Sequence, residues 1–467
     1  MSADSPKVTE DSGPSLASMA FPLVISFWMR AAFTVVDTAF AATLGDAEVA
    51  AIGLAVPFEL IHSALWVGLS AALTSGLSQA MGAGQGARIE QYLKLTRRLI
   101  FGAIPLLACC GLAIIAFADQ VGLAPEVADA FKVYGGVLIT GSACTGFWSV
   151  LPDSVVKAHQ DTRSTMWAGI CSNVVNLSLN ALFLFVFEWG IFGIALSTVL
   201  GRLGGLAYAT RQARRHELAR QGRGAHEDPR LDPRALRFLL SLSIPSALGF
   251  VLLANEAFVV NGILSREPNP TAALAAYSII YRATIFFLNP IIACGVALLP
   301  FSARRFGRRD LAGLRGGLTT ALGLSAAYVL GFAGPVLWLA GPTIAAAFSE
   351  SAETTALATE GLALVPWLCL ATAGFMLARP CFEALQRGFP NLVMAVLRYL
   401  VLTIPALLLA LANREALGLD PVTAVISALI CVASLCSLIF IGWLRRAQAE
   451  LPERWARDDA LAAKLAP

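Results

Sequence analysis

The chain has few charged residues for its length. Asp, Glu, Lys and Arg make up 14% of its 467 residues, whereas 57% are hydrophobic and the mean hydropathy is +0.70. A soluble domain carries about 25% charged residues. This composition therefore excludes an ordinary soluble protein and indicates a polytopic membrane protein. The net charge of +3 is too small to indicate nucleic-acid binding.

The sequence also lacks the motifs of enzymes and metal sites. It has no P-loop, no Ser/His/Asp set and no metal-ligand spacing of Cys and His. Its nine cysteines lie in apolar runs, where cysteine behaves as a small hydrophobic residue. We expect neither an enzyme nor a cofactor. The polar N-terminus has no basic n-region, so we expect no cleavable signal peptide.

An internal repeat is the clearest pattern that the sequence does contain. Pro22 is matched by Pro245, 223 positions later, and Gly82 is matched by Gly307, 225 positions later. Around them, the segment 50–55 resembles the segment 275–280. Two similar halves in such an apolar chain are typical of a transporter that is built from repeats.

Twelve apolar stretches are long enough to span a membrane, which takes about 20 residues. They are 16–44, 47–80, 93–118, 127–152, 165–187, 190–211, 237–264, 271–303, 314–341, 354–384, 390–412 and 421–444. We predict an all-α polytopic membrane protein with twelve transmembrane helices in two six-helix repeat lobes.

Basic residues cluster after the even-numbered spans, as in Arg97-Arg98, Arg304-Arg305 and the run 211–237, whereas acidic residues follow the odd-numbered spans. The positive-inside rule then places both termini and the even loops in the cytoplasm. The predicted divisions are a cytoplasmic tail (1–14), an N-lobe (15–211), an interlobe linker (212–236), a C-lobe (237–445) and a cytoplasmic C-terminal tail (446–467).

Asp37 is the strongest functional candidate, because an ionisable side chain at bilayer depth costs about 2.5–3.5 kcal/mol on insertion scales. It lies in span 1 with no Lys or Arg beside it. Burial there favours the neutral acid, so Asp37 is suited to taking up and releasing a proton. The alternative is an ion pair with Arg30, seven residues earlier on the same helix face.

Amides lie along one side of span 5, at Asn173, Asn176 and Asn180. Residues three or four apart on a helix are neighbours. These amides, together with one carboxylate, predict either a low-charge Na⁺ site or a hydrogen-bond shell around a protonated Asp37. The alternative is a structural cluster of amides between helices.

Glu256 is the acidic residue of span 7 in the second half. It is a candidate for cation or substrate binding, and we name Arg282, Arg379 and Arg398 as alternative ion-pair partners. Glu59 and His62 share a face of span 2, which is more typical of a buried hydrogen bond than of a proton relay.

Several segments resemble the multidrug and toxic compound extrusion (MATE) family over about residues 15–445. They are Pro22, Asp37-Thr38, Leu44-Gly45, Ala50-Ala51-Ile52-Gly53-Leu54, Gly68-Leu69-Ser70, Gly82-Ala83-Gly84, His159-Gln160-Asp161-Thr162-Arg163, 190–198 and 385–390. The resemblance implies two lobes that form a V around a central cavity. It also implies export of a drug-like or amphipathic molecule by alternating access, coupled to H⁺ or Na⁺.

The resemblance implies site residues from two branches of the family. Asp37 matches the membrane aspartate tied to cation coupling, and Asn176, Asn180 and Thr198 match the cation site of the DinF-like branch. The counterpart of Asn180 in that branch is commonly a second acid. Glu256 matches the span-7 glutamate of the NorM-like branch, whose companion aspartate has no match in 373–377.

The predicted function is a cation-coupled antiporter in the cell's inner (plasma) membrane, working as a monomer on a small-molecule substrate. No metal is expected beyond Na⁺ at Asp37. The alternatives are a lipid-linked oligosaccharide flippase of the same superfamily and a non-transporting scaffold or channel. Unpaired Arg30, Arg282 and Arg379 in the cavity would favour an anionic or lipid-phosphate substrate.

Overall fold

The computed structural model describes residues 13–120, 122–221, 233–349 and 351–465, with the side chains of 30–35 and 461–465 outside the description. The described residues form helices and turns and contain no strand. The first half holds α1 (Leu16–Ala42), α2 (Asp46–Gly82), α3 (Gly86–Phe117), α4 (Pro125–Thr145), α5 (Val150–Ala158), α6 (Thr162–Phe185) and α7 (Gly190–Gln221).

The second half holds α8 (Pro233–Leu264), α9 (Pro270–Gly307), α10 (Leu311–Tyr328), α11 (Gly334–Phe348), α12 (Ala352–Ala384), α13 (Phe389–Val396), α14 (Thr403–Ala412), α15 (Arg414–Leu417), α16 (Pro421–Ala449) and α17 (Leu451–Leu465). A π-helical turn joins α10 to α11, and another joins α13 to α14. Each of these pairs therefore forms one long helical run.

Ten helical runs among the described residues are long and apolar enough to cross a membrane. The two predicted spans outside this set correspond to α1 and α4. The described apolar part of α1, Leu16–Met29, is short. Helix α4 carries Glu126, Asp129 and Lys132 near its start. The all-helical membrane fold is confirmed, whereas the count of twelve spans stays a prediction.

The helices extend further than the predicted division of the chain. Helix α7 continues past residue 211 to Gln221, and α8 begins at Pro233. Both ends of the predicted linker are therefore helical, and its middle, 222–232, lies outside the described residues. The predicted C-terminal tail includes α17, where Trp455 packs against Phe306 at 6.1 Å between ring centroids.

The repeat seen in the sequence recurs in the backbone of the turns. Gly84 and Arg309 end their turns with φ of +67° and +59°, and Gln160 and Gln386 have φ of +63° and +61°. The members of each pair are 225 and 226 positions apart. Three of the four are not glycine, although the left-handed region disfavours other residues. The same turn geometry is therefore kept in both halves.

The two halves are held together where α2 crosses α9. A Cβ atom on Gly82 would lie 2.2 Å from the Arg304 carbonyl oxygen, and one on Gly307 would lie 2.2 Å from the Gln79 carbonyl oxygen. Only glycine permits this approach at either position. Arg304 also donates to the Gln160 side chain at 3.0 Å. We call the end of the bundle at this crossing the basic end. The α2–α3, α5–α6 and α9–α10 turns lie there.

Exposure along α2 and α9 changes from this crossing to the opposite end of the bundle, where α2 begins with Asp46 and Glu48. We call this opposite end the acidic end. Near the crossing, residues 68–78 of α2 and 297–303 of α9 are buried. Towards the acidic end each helix exposes one stripe, and the repeat-equivalent exposed pairs are Gly53 with Ser278, Val56 with Tyr281, Pro57 with Arg282 and Ile61 with Phe286. The helices are thus packed at one end and open at the other.

A polar cluster at the basic end fixes the start of α6. Asp161 accepts hydrogen bonds from the Ser164 backbone N–H at 3.1 Å and from its hydroxyl at 2.5 Å, and it lies 2.9 Å from His216 Nε2. Partial burial acts to raise the pKa of Asp161, but the bonds from Ser164 and His216 outweigh it and hold the pKa below its usual value. Asp161 therefore caps α6 as a carboxylate.

The crossing predicts a sharp difference between two glycine-to-alanine substitutions. Gly82→Ala should destabilise the protein by about 1–3 kcal/mol, because its methyl group would overlap the α9 backbone. Gly86→Ala is the control, since a Cβ there meets nothing within 4 Å. The melting temperatures of the purified variants measure the effect. Equal melting temperatures for both would contradict the close crossing.

Candidate functional site

Asp37 is buried between three helices of the first half, with 5% of its surface exposed. Its Oδ1 accepts hydrogen bonds from Asn180 Nδ2 at 2.8 Å and from Asn176 Nδ2 at 3.2 Å. Its Oδ2 lies 2.8 Å from the Thr198 hydroxyl. Both carboxylate oxygens are therefore satisfied by neutral groups from α6 and α7.

A second layer of hydrogen bonds orients these donors. Ser197 donates to Asn180 Oδ1 at 2.5 Å, and Asn180 Nδ2 lies 3.3 Å from Asn176 Oδ1. Thr198 also lies 3.0 Å from the Ile194 carbonyl oxygen, so its single proton serves either that oxygen or Asp37. The side-chain oxygens of Asn176 and Asn180 each accept a hydrogen bond. Their amide nitrogens are therefore directed towards Asp37.

Glycines on α7 allow this network to form. A Cβ on Gly201 would lie 2.8 Å from both the Asn176 Cβ and the Ser172 carbonyl oxygen, and one on Gly205 would lie 2.8 Å from the Ala168 carbonyl oxygen. Small residues let membrane helices approach closely. The contact brings Ser197 and Thr198, at the turn of α7 next to Gly201, within reach of the α6 amides.

An ion pair lies next to the Asp37 network, one helical turn along α7 from Thr198. Arg202 pairs with Glu59 of α2 at 2.5 Å and also donates to the Ser142 hydroxyl of α4. Asp37 and Arg202 are close enough to interact electrostatically. The Arg202 guanidinium therefore lies near the Asp37 carboxylate without contacting it. Glu59 neutralises the charge of Arg202.

The structure brings together four of the residues predicted from the sequence, Asp37, Asn176, Asn180 and Thr198. Asn173 is not part of the network, since its amide donates to the Gly169 carbonyl oxygen at 2.9 Å. The predicted pairing of Arg30 with Asp37 lies outside the described side chains.

Sequence reasoning missed Ser197 and Arg202. Their positions relative to Thr198 could have indicated both residues, because Ser197 adjoins Thr198 and Arg202 follows it by one helical turn. The sequence predicts a contact of Glu59 with His62, whereas its close partner in the structure is Arg202. Nothing in the sequence of α2 alone points to an arginine on α7.

In the second half, Glu256 faces a buried arginine. Arg398, with 3% of its surface exposed, lies 4.0 Å from Glu256. Its guanidinium stacks 4.7 Å from the Phe375 ring centroid and 4.9 Å from that of Tyr399. Glu256 and Arg398 therefore lie at the outer limit of ion-pair distance within the same half.

The prediction of Arg282 as an ion-pair partner is wrong. Arg282 lies on the exposed stripe of α9 and forms no ion pair with any described residue, because Arg398 of the α13–α14 run occupies the position beside Glu256. Arg379 also has its own acid, Glu383, at 3.2 Å. Glu383 further accepts a hydrogen bond from Ser246 at 2.6 Å.

Comparison with known proteins identifies the family. The sequence model of the MatE family matches residues 22–182 and again 245–409, which is more than half of the chain. The chain belongs to this family, whose members are multi-span membrane transporters and not enzymes. The two matched segments are the two halves of the internal repeat.

Several relatives share moderate similarity with the chain. It is 28% identical to the "Probable multidrug resistance protein NorM" of Bradyrhizobium diazoefficiens, over 65% of this chain and 66% of that protein. It is 23% identical to the "FAD transporter" of Shewanella oneidensis, over 84% of this chain and 87% of that protein. The NorM match thus spans just under two thirds of that relative.

Solved structures share the fold. A multidrug resistance MATE family transporter of the MOP superfamily, in an outward-facing conformation, superposes with a TM-score of 0.84 at 18% identity. A MATE protein in the bent conformation gives a TM-score of 0.80 at 18% identity. Each match covers 94% of this chain and 96% of the other. At this identity the likeness establishes the architecture alone.

The network predicts that Thr198 stabilises the site more than a comparable threonine elsewhere. Thr198→Val removes one donor from the buried carboxylate and should cost about 1–3 kcal/mol. Thr319→Val is the control, since that hydroxyl also bonds the carbonyl four residues earlier, at 3.1 Å, but is exposed. Melting temperatures of the purified variants test this. If Thr198→Val is no more destabilising than Thr319→Val, the hydroxyl does not hold Asp37.

Proposed function

We propose that the protein is a proton-coupled antiporter of the inner (plasma) membrane that exports drug-like or amphipathic small molecules by alternating access. One observation carries the proposal: the buried carboxylate of Asp37, in a chain of the MatE family, is held by neutral donors from α6 and α7 among the described side chains. A buried carboxyl group held by neutral donors can exchange a proton with modest rearrangement.

The proposed architecture has twelve spans in two six-helix lobes and both termini in the cytoplasm. The repeated turns, the double family match and the ten apolar helical runs support it. The basic end is then the cytoplasmic end. The α2–α9 crossing closes that end, and the exposed stripes of α2 and α9 face each other across a cleft that opens outwards. We propose a single chain as the working unit.

The composition of the site favours H⁺ over Na⁺. A sodium site needs several oxygen ligands, and here the amide oxygens of Asn176 and Asn180 accept hydrogen bonds within the network. The amide nitrogens face Asp37 instead, and they would repel a metal ion. Rotation of either amide by 180° would present a carbonyl oxygen to a protonated Asp37.

Two relatives guide the choice of substrate. The NorM relative is named a probable multidrug resistance protein, and the other relative is named an FAD transporter; FAD is an amphipathic aromatic molecule. We propose the same broad class here. A lipid-linked oligosaccharide flippase is the weaker candidate, because Arg379 and Arg398 are each paired with an acid and so do not form a bare basic cavity.

Asp37→Asn should abolish proton-driven efflux while leaving the protein folded, since the amide keeps the shape of the carboxyl group and cannot titrate. Efflux of cationic and anionic dyes from proteoliposomes, driven separately by a pH gradient and by a Na⁺ gradient, measures this. Asp46→Asn, the same change at an exposed helix start, is the control. Wild-type efflux rates in the Asp37→Asn variant would rule out the coupling role.

Asn180→Asp should make the protein responsive to Na⁺. The second carboxylate doubles the negative charge and replaces an amide donor with oxygen ligands, which hard cations prefer. Na⁺ at constant ionic strength should raise the melting temperature of this variant and not that of the wild type. Asn173→Asp, on the same helix but outside the network, is the control. A wild type that is itself stabilised by Na⁺ would overturn the assignment of H⁺.

A further inference from the structure

Arg282 differs from the other arginines at mid-helix depth in the described part of the chain. Arg202, Arg379 and Arg398 each lie within 4.0 Å of an acid. Arg282 is exposed and has no such partner among the described residues. It lies twelve residues into α9, about 18 Å along the helix. A charge at this depth is stable only where its face meets water or an anion.

The helix face that carries Arg282 has a regular order of side chains. Ser278, Arg282 and Phe286 are four residues apart on α9, and all three are exposed. They therefore form one line, with about 6 Å between neighbours. A hydroxyl group, a guanidinium and an aromatic ring follow one another from the acidic end towards the crossing.

Contacts of Phe286 show which way this face points. Its ring stacks on that of Trp28 in α1, with 5.6 Å between centroids and an interplanar angle of 10°. Trp28 Nε1 also donates to the Phe286 carbonyl oxygen at 3.4 Å. Because Trp28 belongs to the first half and Phe286 to the second, the line of α9 side chains reaches the contact between the two halves at Phe286. At that residue the line adjoins the space between the halves.

The charges around this space favour an anion. Glu59 and Glu256 are both matched by arginines, and Asp37 is buried behind the first-half helices. An organic cation entering the space would meet the positive charge of Arg282, whereas Glu59 and Glu256 each already have an arginine nearby. An organic anion would meet a guanidinium that has no competing partner.

We propose that this face binds an organic monoanion with a planar aromatic group. The carboxylate or sulfonate would lie on Arg282, since guanidinium binds such groups in a bidentate manner. The ring would lie against the Trp28–Phe286 pair, one turn away, where aromatic packing adds to apolar burial. This inference names the substrate class of the proposed exporter, and as a transport claim it rests on the proposed function.

Equilibrium binding to the purified full-length protein in nanodiscs tests the proposal without any ion gradient. The probes are 2-naphthalenesulfonate and 2-naphthyltrimethylammonium, which share a ring and differ in charge. The wild type should bind the anion about tenfold more tightly, as expected for one charge-assisted contact. Arg282→Gln should remove that preference, and Arg282→Lys should keep part of it. Phe286→Ala should weaken binding of both probes.

Arg308→Gln is the control, because it removes an exposed charge from the basic end of the same helix and should leave both affinities unchanged. A wild type that prefers the naphthyl cation overturns the proposal even if the variants fold poorly. An anion preference that persists in Arg282→Gln also overturns it. If the anion binds as predicted but no gradient drives its export, the proposed function fails and this site stands.

Discussion

The arrangement of the first half depends on one constraint: a carboxyl group at membrane depth must be satisfied without water. Asp37 meets this requirement through Asn176, Asn180 and Thr198, which come from two other helices. The network in turn requires α6 and α7 to lie in close contact, and Gly201 permits that contact. A network of neutral donors leaves the carboxyl group able to change its charge, whereas a direct arginine partner would fix it as an anion.

The two halves share a scaffold but not their chemistry. The turns at Gly84 and Arg309, like the α2–α9 crossing, are nearly symmetric. The acid of the second half, Glu256, lies 4.0 Å from Arg398, and Asn261 or its neighbour Val260 occupies the repeat-equivalent level of Asp37. The proposed proton site at Asp37 and the proposed anion site at Arg282 would place proton and substrate on helices of different halves. This separation fits antiport, in which the substrate and the proton are carried at different stages of the transport cycle.

Much of the fold and part of the site could be predicted from the sequence. Apolar length and the repeat located the helices, because both are properties of the chain read in order. The contact of Asp37 with Thr198 was expected only through family resemblance, and the structure brings the two together at 2.8 Å. The partner of Glu256 could not be chosen among three arginines, because helical register fixes which face a residue occupies and not the distance between helices. Arg202 was missed for the same reason.

The most direct test of the central claim is the protonation of Asp37 itself. Infrared difference spectra of the purified protein, recorded between acidic and alkaline pH, would show the C=O stretch of a buried carboxylic acid as it gains or loses a proton. We expect this band in the wild type and in Asp46→Asn, and we expect it to be lost in Asp37→Asn. An unchanged band in Asp37→Asn would mean that another group carries the proton, and it would contradict the assignment of Asp37 as the proton-binding residue.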